Sequence, residues 1–229
     1  MKQHQKFRWY TLVGMAFFVV APLAAFGLGI AAQRVVLDGN VTLPVIVTTP
    51  SVDIHLDWQL YTNTKYGVSL RYPSEFDARV PQTPSDAAAW SFNSNTPGTL
   101  LLDIVMPRTF EPKTNFVDGT VRIGVSRDPQ ALAGCLQAPN DGGATTTQSI
   151  HAAQFILFHT SDAGAGNRYD STGYRTMRDG TCYGIDLVSH WSELLNYPPE
   201  LGLHEFDHAR VERALNDVLQ TLTLTSPAP

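Results

Sequence analysis

The feature that most constrains this chain is a stretch of 24 residues without a charge, at positions 9–32. As an α-helix this stretch would reach about 36 Å, which exceeds the roughly 30 Å of a bilayer's hydrocarbon core. Trp9 and Tyr10 stand at its start, and amphipathic rings favour the headgroup level of a membrane. The sequence therefore predicts a transmembrane helix over residues 9–32.

Flanking charge sets the expected orientation of this helix. Lys2, Lys6 and Arg8 precede it, whereas only Arg34 follows it closely. Because Lys and Arg concentrate on the cytoplasmic side, we expect residues 1–8 in the cytoplasm and the remaining chain outside. A cleaved signal peptide is the alternative, with a cleavage site at residues 29–32, although its apolar region would be longer than usual. Both alternatives place the body in the same compartment.

The body of the chain is acidic. Three of the 16 Lys and Arg precede the apolar stretch, which leaves 13 against all 21 Asp and Glu and a net charge of −8. An acidic surface repels phosphate backbones, so nucleic acid is excluded as a partner. The expected partners are the membrane, through residues 9–32, and other envelope proteins; no cofactor is expected. We divide the body into an extended linker at 33–57, a domain at 58–225 and a disordered tail at 226–229.

Cys135 and Cys182 are the two cysteines of the chain, and both fall in the outer part. Thiols outside the cytosol tend to oxidise, which favours a disulfide between them. A buried thiol pair and a redox site are the alternatives. No CxxC spacing supports a redox site, and two cysteines alone make a poor metal site.

Turn residues and alternating apolar residues predict a strand-rich body. The predicted strands are residues 68–72, 88–93, 99–106, 120–126, 155–158, 172–178, 181–189 and 221–225. The dipeptide Asp179-Gly180 predicts a hairpin with a two-residue primed turn between two of them.

Two helices are predicted, near residues 129–138 and 207–220. Asp128-Pro129 has the chemistry of a helix start, and the following apolar spacing turns Cys135 toward the core. Asp207 is the expected cap of the second helix, with Phe206 and Val211 as its hydrophobic staple. Antiparallel strands with a few packed helices indicate the α+β class.

The stretch at residues 61–76 resembles the opening of PsbP-like domains. It has Tyr61, Gly67 followed by alternating apolar residues, and Tyr72-Pro73 before the aromatic Phe76, where PsbP-like openings usually have Trp. Residues 161–170, 174–176, 180–183 and 205–207 resemble a group of uncharacterised bacterial anchored or lipoprotein-type domains with the same opening. The resemblance covers residues 58–225. It implies an α/β/α sandwich around an antiparallel sheet, in domains that bind or support other proteins, and it supplies no catalytic residues.

His204-Glu205-Phe206-Asp207-His208 spells HExxH, the motif in which two His bind zinc and Glu activates water. That chemistry requires a helix through all five residues and a third ligand. With Asp207 as the cap, His204 lies outside the helix, and no His follows His208. We assign no metal site and keep His204, His208 and Glu205 as an alternative. If the helix began at residue 204, both His would join its apolar stripe.

Three functions remain open from the sequence. The first is a tethered, non-catalytic domain for protein binding or envelope support, and the second is a zinc-dependent hydrolase using the HEFDH segment. The third is a small-ligand receptor with its pocket between sheet and helix. A group of aromatic residues fits either a binding face or the core and rim of a sheet: Tyr169, Tyr174, Tyr183 and Trp191. No catalytic residue is assigned.

Overall fold

The computed structural model describes residues 57–88, 90–91, 96–138 and 143–226. The chain divides into two units, residues 1–50 and 51–229, and all described residues belong to the second. Residues 1–8, the anchor at 9–32 and the linker up to residue 56 lie outside the described residues, so those predictions and the domain boundaries stay predictions. No helix within the described residues has both the length and the apolar character needed to cross a bilayer.

Ten strands and three α-helices make up the described part of the chain. In chain order they are β1 Gln59–Asn63, β2 Val68–Tyr72, β3 Asp77–Arg79, α1 Pro84–Ala88, β4 Thr99–Met106, β5 Phe116–Ser126, α2 Pro129–Gly134, β6 Thr146–Ile150, β7 Ala153–Gly164, β8 Asn167–Arg178, β9 Thr181–Ser192, α3 His208–Gln220 and β10 Thr223–Leu224.

A seven-stranded sheet forms the centre, in the order β3-β4-β5-β9-β8-β7-β6. Every neighbouring pair in it is antiparallel. The β8–β9 hairpin turns at Asp179 and Gly180, with φ of 48° and 67°. Positive φ at both central residues is what a primed turn requires, so the predicted hairpin is confirmed.

Helix α3 covers one face of the central sheet, and a smaller antiparallel sheet, β1-β2-β10, lies beside it. The helix packs against β2, β5 and β9 through one apolar stripe. Its buried residues are Val211, Leu215, Val218 and Leu219. Each buried side chain of this size stabilises the fold by about 1.5–3 kcal/mol through removal of apolar surface from water.

The other face of the sheet carries a second, smaller core. Trp90 packs there with Cys135 and Cys182, both of which have no exposed surface. The disulfide predicted from the sequence joins these two cysteines, with Cα atoms 5.8 Å apart. It fastens the end of α2 to the start of β9.

The start of α3 is fixed by several polar contacts. The Asp207 carboxylate accepts a hydrogen bond from the Arg210 amide, as the predicted cap should. Glu111, almost buried, accepts from the Asp207 amide and from the Arg210 guanidinium. The predicted cap at Asp207 is therefore confirmed, and the helix runs from 208 to 220.

Three local predictions were wrong. Of the strand predicted at 88–93, the described residues 88, 90 and 91 form none, since α1 ends at Ala88 and Ser91 makes an isolated bridge to Pro97. Helix α2 ends at Gly134 instead of residue 138. The last strand spans Thr223–Leu224 only, because Thr221 caps α3.

The α+β class with a central seven-stranded antiparallel sheet agrees with the sequence. The α/β/α layering that the resemblance implied stays an expectation. Among the described residues one face carries the 13-residue α3, and the other carries only short helices such as the six-residue α2.

Candidate functional site

The HEFDH segment does not form the helix that a zinc site of this type needs. Helix α3 begins at His208, so His204 lies outside it. The His204 amide donates to the Lys113 carbonyl, and the His204 carbonyl accepts from the Asn115 amide. Because these backbone groups are committed to another segment, a helix cannot run back to residue 204.

The His208 ring lies among aromatic side chains. Its centroid is 3.8 Å from that of Phe206 and 5.0 Å from that of Trp191. Within the described residues there is no cluster of three or more His, Cys, Asp or Glu suited to a metal ion. His204, Glu205 and His208 therefore do not assemble as the alternative required.

A polar groove of about 680 Å³ lies between α3 and the far half of the central sheet. Its floor is set by strand register, which places His159 beside Thr172, and Ser161 beside Asp170. Asp170 in turn lies beside Ser189 on β9. Alternate residues of a strand share one face, so these side chains point to the same side as α3.

Helix α3 provides the wall of the groove. Its lining residues are His208, Ala209, Glu212, Arg213, Leu215 and Asn216. Five of these six residues lie on one face of the helix, at intervals of three or four positions. The sixth, Leu215, is buried and lies at the inner end of the groove. Glu212 and Arg213 are exposed and make no ion pair with any described residue. Their charges are available to a ligand.

The groove floor is hydrogen-bonded in pairs. Ser161 Oγ donates to Asp170 Oδ1 over 2.6 Å, and Thr172 Oγ1 lies 2.9 Å from His159 Nδ1. At the inner end, burial raises the pKa of the Tyr174 hydroxyl, and the nearby Glu212 carboxylate raises it further. Tyr174 thus stays protonated at the groove's apolar end.

This arrangement offers donors and acceptors for binding. A hydroxyl beside an imidazole, as at Thr172 and His159, is one requirement of nucleophilic catalysis. The second is a group that orients the imidazole, but Asp170 is engaged by Ser161 instead. Within the described residues no carboxylate is hydrogen-bonded to His159. A volume of this size suits a small molecule or a few side chains of a partner.

Among the residues of this groove, the sequence singled out His208 as an alternative zinc ligand and Tyr174 as part of a binding face or a sheet core. The aromatic group divides: Tyr174 and Tyr183 are buried, whereas Tyr169 and Trp191 are half-buried. The floor residues were missed because nine or more positions separate them along the chain. They come together only through the pairing register of three strands, and this register cannot be read from the local sequence.

A second polar cluster lies on the opposite face of the sheet. His190 Nδ1 is 3.1 Å from Asp118 Oδ2, and its Nε2 is 3.1 Å from Asn167 Oδ1. The His190 ring stacks on Tyr169 with centroids 4.3 Å apart. Both ring nitrogens are thus occupied by protein partners, which makes this cluster structural.

Alkaline stability should depend on Tyr183. Burial raises the pKa of its hydroxyl, which donates to the Tyr66 carbonyl over 2.9 Å. In the unfolded chain the hydroxyl ionises near its ordinary pKa of about 10. Since the folded pKa is higher, this stability is fully present below pH 10 and is lost as pH rises toward the folded pKa.

We expect Tyr183→Phe to flatten the loss of unfolding free energy above pH 10, measured by urea unfolding of the full chain in detergent. At pH 8 the variant should be weaker by about 1 kcal/mol, because a buried hydrogen bond is removed. Equal alkaline slopes for the variant and the parent chain would contradict the argument.

No protein-family model matches the chain, and no curated protein matches it either. Three solved structures are similar to it. A Bacteroides thetaiotaomicron VPI-5482 protein has a TM-score of 0.42 and 12% identity over 75% of this chain, which spans only 50% of that protein. Cyanobacterial PsbP (CyanoP) from Synechocystis sp. PCC 6803 has a TM-score of 0.40 and 10% identity, over 76% of this chain and 96% of its own.

The third structure is LpqN, involved in cell envelope biogenesis of Mycobacterium tuberculosis. Its TM-score is 0.36 at 12% identity, over 73% of this chain and 90% of its own. The similarity to PsbP expected from the sequence is thus found in the structure. These likenesses concern the fold alone.

Proposed function

We propose that this chain is a membrane-tethered, extracytoplasmic domain that binds a partner protein through the groove between α3 and β7–β9, without catalysing a reaction. The observation that carries this proposal is the groove itself. Its walls present charged side chains, such as Glu212 and Arg213, that no described residue neutralises.

The disulfide supports an extracytoplasmic location. Structural disulfides persist in oxidising compartments and are rare in the cytosol. Cys135 and Cys182 are both fully buried and bonded to each other. The tether itself rests on the uncharged stretch at residues 9–32 and on the basic residues before it.

The groove geometry favours binding over hydrolysis. The HEFDH segment is split by the start of α3, so its two His cannot bind zinc from one helical turn. In the groove, His159 has a hydroxyl neighbour but no orienting carboxylate among the described residues. A small-molecule ligand would use the same donors and acceptors, and this alternative is the receptor with a pocket between sheet and helix.

Site-specific photo-crosslinking tests this proposal in intact membranes. A benzophenone amino acid at position 212 lies on the groove wall, whereas one at the exposed position 217 lies on another face of the same helix. We expect an adduct with another envelope protein from position 212 and none from position 217. Equal adducts from both positions, or none from either, would remove the support for a groove partner.

An activity assay tests the statement that the domain does not catalyse a reaction. If the purified chain turned over a substrate and Thr172→Val abolished that activity, the domain would be an enzyme and the proposal would be wrong. We expect no turnover that depends on Thr172, His159 or Asp170.

A further inference from the structure

Strand β7 extends well beyond its outer neighbour. β6 pairs with β7 only over Ala153–Leu157, yet β7 continues to Gly164 in register with β8. Residues 158–164 therefore have a paired inner side and, among the described residues, no strand on their outer side. This segment is called the open edge below.

The open edge has the chemistry of a strand acceptor. In an antiparallel ladder alternate residues direct both their N–H and C=O groups to one side, so about half of residues 158–164 offer theirs outward. His159, Ser161 and Asp162 are exposed. Proteins commonly block such edges with Lys, Pro or a bulge, but Asp162 is the one charged residue here and Pro is lacking.

The open edge and the groove form one continuous surface. His159 and Ser161 belong to both, because their backbone lies at the edge and their side chains line the groove floor. A strand added there would lie about 4.8 Å from β7, and its alternate side chains would enter the groove. This is the β-augmentation mode of peptide recognition, in which main-chain bonds supply affinity and pockets select side chains.

Charge indicates which peptide would fit. Asp170 and Glu212 line the groove with one cation, Arg213, and Asp162 lies on the strand's other face. Two copies of this chain would bring together bodies that each carry a net charge of −8 and therefore repel. A basic partner strand is attracted instead.

We propose that a partner protein binds by adding an extended, basic segment to β7 along residues 158–164, with alternate Lys or Arg side chains in the groove. This inference rests on the proposed function, since it names the partner of the same groove. The partner's segment would continue the line of β6, whose first residue, Thr146, pairs with Leu157 next to the open edge.

Synthetic peptides test the inference directly on the full chain in detergent. The probe is a fluorescent peptide of about seven residues, in which lysine alternates with valine or threonine, matching the length of the open edge. Two further versions carry N-methyl groups on alternate amides, one on each edge of the strand. Fluorescence anisotropy then measures the three affinities.

We expect N-methylation of one edge to weaken binding by about tenfold or more, because the bonds to β7 are lost, and N-methylation of the other edge to leave it unchanged. Equal affinities for both N-methylated peptides would overturn the inference, since they would show that no backbone ladder forms. A version with glutamate in place of lysine should not bind.

Groove variants test the charge argument. Asp170→Asn and Glu212→Gln should each weaken lysine-peptide binding by about threefold, as expected for partly exposed charge pairs. Asp170→Asn keeps an oxygen for the Ser161 hydroxyl, so the fold is retained. The matched control, Asp217→Asn on the exposed face of α3, should change the affinity little. An equal effect from all three variants would overturn groove binding.

Sedimentation of the full chain gives the remaining outcome. A dimer that Thr160→Pro dissolves would show that a second copy occupies the open edge, and the inference would be wrong. Failure of these tests, with crosslinking from position 212 intact, would leave the proposed function standing. Loss of that crosslink would instead remove the proposed function.

Discussion

Removal of the disulfide by Cys135→Ala with Cys182→Ala is expected to lower the free energy of unfolding by about 4 kcal/mol. The bond closes a loop with a sequence separation of 47 residues. In the chain-entropy description, opening such a loop returns conformational freedom to the unfolded chain. Both side chains are fully buried beside Trp90, so truncating them to Ala also removes packing.

Urea unfolding of the full chain in detergent, followed by tryptophan fluorescence, measures this loss. A reducing agent should shift the midpoint of the parent chain toward that of the double variant and should not shift the double variant itself. If the reduced parent chain unfolded at the same midpoint as the oxidised one, the disulfide would contribute nothing to stability.

The second large effect is expected from Leu215→Ala, which should lower the free energy of unfolding by about 3 kcal/mol. Leu215 is 2% exposed and packs where Gly119 of β5 leaves room for its methyl groups. Its loss would leave a cavity between α3 and the sheet, at the inner end of the groove. The cost combines lost burial with an unfilled space.

Asp217→Ala is the matched control for Leu215→Ala, because it lies two positions further along the same helix and is exposed. It should change stability by less than about 0.5 kcal/mol. Equal losses from both variants, measured by urea unfolding, would show that α3 does not owe its position to this apolar stripe.

Local chemistry made several elements predictable. β2 and β4 have the predicted bounds. Apolar residues alternate over 68–72 and 99–106, and this alternation indicates a strand with one buried face. Asp179-Gly180 specifies its own turn through positive φ. Asp207, with Phe206 before it and Val211 within the helix, specifies the start of α3.

Other elements depend on pairing with neighbouring strands, which the local sequence does not reveal. β7 was predicted over 155–158 but spans Ala153–Gly164. Its outer half is polar and exposed, so no apolar pattern marks it, and it is a strand because β8 pairs with it. A strand was predicted at 88–93 before the turn signal Asn95-Thr96-Pro97-Gly98, but the Trp90 ring covers the backbone at Gly98 and Gly124.

The candidate site was predictable only in outline. A pocket between sheet and helix was one of three hypotheses from the sequence, whereas its floor residues follow from strand register. Asp170 meets Ser161 and Ser189 because three strands align, although neither serine adjoins it in the sequence. The HEFDH motif, by contrast, is local and conspicuous, yet the backbone bonds of His204 separate its two imidazoles.

The fractionation of the chain and the oxidation state of its two cysteines test the central claim of a tethered, extracytoplasmic domain most directly. Membranes and soluble material are separated, and the chain is unfolded in denaturant, because both cysteines are fully buried in the folded domain. A maleimide is then added with and without prior reduction. We expect the chain in the membrane fraction, with Cys135 and Cys182 labelled only after reduction. Recovery of the intact chain as soluble material, with both cysteines labelled before any reductant is added, would contradict the account.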